Sequence, residues 1–340
     1  MRILVIGGTR FIGLTAVEQL CAQGHEVAVF HRGISNPTDV PAVEQILGDR
    51  ETLGDHVEAF RRFAPDVVLD ACASFEHQAR LLVDVFRGLA GRTVVLSSVD
   101  VYRAYGRLHE SEPGPPEPMP LTEDAPVREL LYPYRDTPGI PAEYGAKYDK
   151  IPIEKIVLGD PALPGTVLRL PFVYGPRDYQ HRLGLYLRLM DDGRPAILLD
   201  RTMARWRGTH GYVENVAAAL ARAVTDPRAA GRLYNVGEDD APEERAWVEA
   251  IGRAAGWDGR VAVVERSALP LALRWWGDAA MEQALVTNTT RIRAELGVED
   301  VVSFDEGLRR AVAWERDHRQ ENIEAGLLDY AAQDAVLAGR

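Results

Sequence analysis

Met1-Arg-Ile-Leu-Val-Ile-Gly-Gly-Thr-Arg-Phe-Ile-Gly13 is the stretch that decides the fold. Ile3 to Ile6 is a short, wholly apolar run, the pattern of a strand buried on both faces. Gly7, Gly8 and Gly13 follow, and then Leu14, Val17, Leu20 and Cys21 recur at helical spacing up to a stop at Gly24. Strand, glycine turn and helix in this order form a unit suited to a dinucleotide. The glycines let the backbone turn tightly beside a pyrophosphate, whose charge rests on the N–H groups of the helix start. The plain alternative is a βα turn that needed glycine for its own geometry.

The 340 residues suffice for a sizeable core in one large or two modest domains. A net charge of −12 argues against general binding to a nucleic-acid backbone, which relies on clustered Lys and Arg. The two cysteines, Cys21 and Cys72, fall in expected buried elements and read as small core residues in a reducing compartment. The chain opens directly into a core strand without the regions of a signal peptide, and no apolar run reaches spanning length. A soluble, cytoplasmic protein is expected. The eight histidines show no ligand spacing, and no metal site is expected.

Further along, Glu26–Phe30 reads as a second strand, whose end should meet the ribose. A carboxylate there would repel a 2′-phosphate; this chain has His31-Arg32-Gly33. Arg32 can pair with a phosphate bidentately, and Arg10 in the glycine loop can reach the same place, so NADP(H) is favoured over NAD(H). The alternative for Arg32 is a solvated turn residue. A third strand ends at Leu47-Gly48-Asp49, with Asp49 placed to accept from the adenine amino group. Pro65–Ala71 is the fourth, leading into Ala71-Cys72-Ala73, small residues suited to a backbone beside a cofactor. Thr93–Ser98 is the fifth, and Thr166–Leu170 the sixth.

Residues 103–143 carry nine prolines between Pro113 and Pro141 and read as a long loop on the substrate side. The spacing predicts a helix from about Tyr144 to Leu158. After it come helices at 183–190, 213–223, 243–256, 290–296 and 306–316, with strands at 196–199, 232–236 and 261–264. The expected architecture is α/β: a Rossmann-type doubly wound parallel sheet with a smaller C-terminal substrate-binding lobe. The dinucleotide-binding domain takes residues 1–175, completed by about 208–237; the lobe takes 176–207 and 238–330.

These residues resemble an extended short-chain dehydrogenase/reductase of the NAD(P)-dependent epimerase/dehydratase group over nearly the whole chain. Gly7-Gly-Thr-Arg-Phe-Ile-Gly13 is similar to the family's TGxxGxxG loop, with Arg10 in place of its central glycine. Ser97-Ser-Val-Asp-Val-Tyr102 resembles its Ser-Ser/Thr-x-x-Val-Tyr segment, whose second hydroxyl is catalytic and maps to Ser98. Leu168–Arg177, Tyr212–Ala217 and Tyr234–Gly237 are similar to its later segments. The residues and the resemblance together give a cofactor site of Gly7, Gly8, Thr9, Arg10, Phe11, Ile12, Gly13, His31, Arg32, Asp49, Ala71, Ala73 and Lys150, with Arg10 and His31-Arg32 departing from the family's best-known sugar epimerases. It also implies possible homodimers through helices near 74–90 and 144–158.

The family's catalytic Tyr-x-x-x-Lys is altered here to Tyr144-Gly-Ala-Lys147-Tyr148-Asp-Lys150. Counting back from Glu154 puts the lysine at Lys150 and the tyrosine place at Ala146. Tyr144, six residues from Lys150, would lie on another face of an unbroken helix. Three arrangements stay open. A two-residue insertion at the helix start brings Tyr144 in, Tyr144 pairs with Lys147, or the tyrosine function is lost. Ser98, Tyr144 and Lys150 are accordingly the catalytic candidates, with packing as the plain reading of the tyrosines and capping as that of Ser98.

Arg177, Arg182, Arg205 and Arg207, with His181, Trp206 and His210 among them, are candidates to hold a substrate diphosphate or ring. Surface ion pairs are the alternative for each arginine. The function implied is NADP(H)-dependent oxidation, reduction or epimerisation at a carbinol or carbonyl carbon of a nucleotide-sugar or secondary-metabolite substrate. The competing function is a cofactor-binding sensor, or an RNA- or protein-binding relative, that has lost the chemistry.

Overall fold

The computed structural model describes residues 1–35, 40–274 and 282–339. Its strands in chain order are β1 (Arg2–Ile6), β2 (Glu26–His31), β3 (Glu44–Leu47), β4 (Val67–Asp70), β5 (Arg92–Ser98), β6 (Gly165–Leu170), β7 (Phe172–Tyr174), β8 (Ala196–Asp200), β9 (His210–Tyr212), β10 (Leu233–Asn235) and β11 (Arg260–Val264). Seven of them form one sheet in the order β10-β6-β5-β4-β1-β2-β3, with every neighbouring pair parallel. Strand order reverses between β1 and β4, which opens a crevice beyond their carboxyl ends.

The unbroken apolar run of β1 is explained by cover on both faces. Ile3 and Val5 pack with Val17 and Leu20 of the helix Phe11–Ala22 and with Val216 and Leu220 of Val213–Thr225. Leu4 and Ile6 pack on the other side with Phe60, Leu82, Phe86, Ile153 and Val157. Ile3, Leu4 and Val5 are fully inaccessible. Each such side chain contributes about 1.5–3 kcal/mol.

The remaining strands form two separate two-stranded sheets. β8 pairs with β11, and β7 with β9. The helices Glu244–Ala255 and Phe304–Asp317 pack together. The C-terminal helix Tyr330–Ala338 lays Val336 and Leu337 against Leu198 and Val264. That helix and the short β7–β9 pair lie outside the sequence-based expectations, since three-residue strands carry too little periodicity to read.

Two expectations are corrected. The helix expected from Tyr144 to Leu158 is two helices, Ala142–Lys147 and Lys150–Leu158. Tyr148 is extended (φ −69°, ψ 119°) and bridges Phe75, and Asp149 caps the second helix by accepting from the Ile151 N–H at 2.9 Å. Pro152 supplies the reason: inside one continuous helix its ring would clash with the Tyr148 carbonyl. Cys72 is exposed rather than a core residue, and Cys21 is only partly buried.

The proline-rich segment 103–143 contains a short helix, Arg103–Leu108, and is pinned by buried ion pairing. Arg128 reaches Asp149 at 3.1 Å, while Glu112 accepts from the Glu129 and Leu130 N–H groups at 2.6 and 2.9 Å. Among the described residues no helix is long and apolar enough to cross a membrane.

Candidate active site

The crevice holds a cleft of about 770 Å³. The glycine loop forms its floor. Gly7 has φ +84°, and a Cβ there would lie 2.7 Å from the Cys72 sulfur. A Cβ on Gly13 would lie 2.6 Å from the Gly7 carbonyl oxygen, so only glycine keeps the turn tight against the helix. Gly8 faces inward, against Val5 and Val17. The helix Phe11–Ala22 starts from Arg10 with no side chain capping it, which leaves its first N–H groups for an anion. This cradle fits a dinucleotide pyrophosphate.

At the far end of β2 the two candidate residues separate in role. His31 is buried: its Nδ1 accepts from the Gly33 N–H at 3.1 Å, so Nε2 carries the proton and donates to Gln45 at 3.1 Å. It holds the turn. Arg32 is exposed on the cleft wall beside Arg10 and Ser35. Ser35 Oγ accepts from Arg10 Nε and from Thr9 Oγ1, both at 3.2 Å. Asp49 lines the cleft while accepting from the Glu51 N–H at 3.0 Å. Arg50 makes a bidentate pair with Asp70 at 2.9 and 2.8 Å, tying the loop after β3 to the end of β4. Ala71 lines the cleft; Ala73 is buried and presents its carbonyl to Lys150.

Lys150 is buried at the start of its helix, donating to the carbonyls of Ala73 and, at 3.2 Å, of Leu96. Burial lowers its pKa, against the pull of Asp100 and Asp70. Tyr144 stands on the cleft wall, packed edge-on to Phe75 (5.5 Å) and stacked on Tyr148 (5.3 Å). Desolvation raises its pKa, only partly offset by a hydrogen bond with Ser74. Lys147 does not serve Tyr144, because its ammonium pairs with Glu143 at 2.9 Å. Tyr148 is buried with its phenol on Asp100 at 2.8 Å; burial and that carboxylate hold its pKa well above the usual value. Ser98 is partly exposed and accepts from the Asp100 N–H at 3.2 Å, capping the turn Val99–Val101. Its own O–H stays available to donate.

Sequence reasoning missed several groups of this site. Ser35, Ser74, Phe75 and Tyr179 all line the cleft, and Asp100 gathers Tyr148 and Tyr134 (3.2 Å) around one carboxylate. A hydroxyl three residues past Arg32 was a readable signal; the tyrosine cluster, assembled from distant segments, was not. The second-lobe cations do not converge on the cleft. Arg177 is bound bidentately by Glu18 at 3.0 and 2.9 Å, Arg182 by Asp178 at 3.0 Å, and Arg207 lies on the Ala241 carbonyl at 2.6 Å. His181 pairs with Glu315 at 2.8 Å. His210 stacks on Trp247 at 4.0 Å, with burial pushing its pKa down to about 3. The Trp206 indole donates to the Gln283 carbonyl at 2.9 Å. Arg205 is exposed.

A doubly wound sheet with a glycine cradle at its switch point and a hydroxyl, phenol and lysine nearby defines a nicotinamide-dependent enzyme. The NAD dependent epimerase/dehydratase family model matches residues 3–85. The 2'-dehydrokanamycin reductase of Streptomyces kanamyceticus is 28% identical over 265 residues, 75% of this chain and 67% of that protein. The dTDP-glucose 4,6-dehydratase of Streptomyces griseus is 29% identical over 150 residues, 43% of this chain and 41% of that protein. The fold matches that of the Bordetella bronchiseptica enzyme WbmG in complex with NAD and UDP, with a TM-score of 0.69 and 18% identity, over 94% of this chain and 96% of that one. Over residues 3–85 the chain is similar to the NAD dependent epimerase/dehydratase family, and over its whole length its fold is that of the extended short-chain dehydrogenase/reductases. The relatives named are a reductase and a dehydratase, and the chain is an NAD(P)-dependent enzyme of this type.

Proposed function

We propose that the chain is an NADP(H)-dependent oxidoreductase that reduces a ring carbonyl of a sugar-like substrate. The cluster of Arg10, Arg32 and Ser35 carries the cofactor preference. Two guanidinium groups and a hydroxyl stand on the cleft wall just past β2, where NAD-selective folds of this kind place an acid. Among the described residues neither arginine has a carboxylate partner. The reductase named among the relatives supports the direction of reaction.

Gly7 to Gly13 would hold the pyrophosphate, Arg10 and Arg32 the 2′-phosphate, and Lys150 the nicotinamide ribose through its third N–H. The bound dihydronicotinamide supplies a hydride to the carbonyl carbon. Ser98 donates to the carbonyl oxygen, which polarises it and offsets the developing negative charge. Tyr144 gives that oxygen its proton, leaving an alcohol and a phenolate that solvent reprotonates. Desolvation keeps the phenol protonated at neutral pH, so the proton is present on Tyr144 before the reaction.

Arg32→Ala and Arg10→Ala test this. A hydrogen bond to a charged group is worth about 1.5–3 kcal/mol, so each variant should lose roughly 10- to 100-fold in NADPH affinity. NADH binding should be unchanged. Equal losses for both cofactors would remove the 2′-phosphate assignment.

A further inference from the structure

We infer that the carbonyl substrate carries no nucleoside diphosphate: it is a free or glycosidic ring ketone of a sugar or cyclitol. The inference rests on the reductase reading and names its substrate class.

A nucleoside diphosphate needs cations that are free to pair with it. The second lobe has arginines, but the fold has already given them partners. Glu18 takes both guanidinium nitrogens of Arg177, the arginine nearest Tyr179 in the chain, and Asp178 takes Arg182. Arg207 is turned onto a backbone carbonyl. The arginines that do line the cleft, Arg10, Arg32 and Arg50, all belong to the β2–β3 side, and Arg50 is neutralised by Asp70. Arg205 and Arg135 are exposed, and Arg135 lies over the Tyr132 ring at 4.8 Å. The segments 36–39 and 275–281 contain no Lys or Arg.

The cleft also presents aromatic surface. Tyr179 is 65% exposed and packs edge-on to Phe11 at 6.2 Å; Tyr144 and Phe75 form a second such pair on the same cleft. Such rings bind the apolar face of a pyranose or cyclitol and leave its polar edge in water. Recognition by ring faces rather than by charge suits a substrate with no diphosphate.

Two measurements on the full chain decide the matter. UDP and dTDP are titrated calorimetrically into protein with and without saturating NADP+. NADPH consumption is then followed with an aminoglycoside bearing one ring ketone and with a UDP-linked 4-ketohexose. The expected results are no UDP or dTDP binding up to about 1 mM and at least a ~100-fold preference in kcat/KM for the unphosphorylated ketone. Micromolar UDP or dTDP binding to NADP+-loaded protein, or preferential turnover of the UDP-linked ketone, would overturn it. Failure to bind NADPH would fall on the cofactor reading alone, since the UDP titration without cofactor still reports on the diphosphate.

Discussion

In the proposed reaction Tyr144 and Ser98 divide the work on the substrate oxygen, and single substitutions separate the two. Tyr144→Phe removes the proton donor while keeping the ring contacts with Phe75 and Tyr148, so kcat should fall by roughly 10²–10⁴ with NADPH affinity unchanged. Ser98→Ala should cost about 10²-fold in kcat, since it removes one donor to the developing charge. Steady-state kinetics beside a cofactor titration distinguishes these losses from misfolding. Full activity in Tyr144→Phe would transfer the proton to another group. At this scale the sequence was legible where chemistry is local. Arg182 stands four residues after Asp178, a spacing that already suggests their pairing. The Arg177–Glu18 pair joins residues 159 apart, and no local pattern records it.

The break between Ala142–Lys147 and Lys150–Leu158 shows what an element-level reading can miss. Apolar periodicity runs through both helices, and it outweighed Pro152 and the capping Asp149, two signals present in the chain. The break puts Tyr144 and Lys150 on different helices, with Tyr144 on the cleft wall and Lys150 buried. Asp149 holds the junction, accepting from Ile151, Tyr132 and Arg128 at once. Asp149→Ala leaves the Arg128 cation buried without its carboxylate and should destabilise the fold by about 3–5 kcal/mol in urea unfolding. Glu143→Ala, one helix earlier on an exposed pair, should leave stability within error. A comparable loss in both would show that the junction is no more than surface.

Over the whole molecule, two carboxyl groups in the second lobe tie stability to pH. Glu238 and Glu244 are buried, and desolvation pushes each up to about 7 even though Tyr174 and Tyr186 donate to them. A carboxyl whose folded pKa lies above its unfolded value favours folding most below the unfolded pKa. That advantage is lost as pH rises through the window from about 4.5 to about 7. Thermal melts of Glu244→Gln against the parent from about pH 5 to pH 8 should show the variant gaining relative stability with pH. A constant difference would mean that Glu244 is ionised in the fold. The parallel sheet and its strands were legible from glycine spacing and apolar runs, because parallel strands buried on both faces leave a strong local record. The destination of the second-lobe arginines was not, because ion pairing there is tertiary.

The account turns on the 2′-phosphate site, and the most direct test is calorimetric titration of the wild-type chain with NADPH and with NADH. Arg10 and Arg32 together predict NADPH binding at least ~100-fold tighter than NADH, with the gap narrowing as salt rises. Equal affinity, or a preference for NADH, would contradict the assignment of these two arginines and with it the cofactor on which the proposed reduction depends.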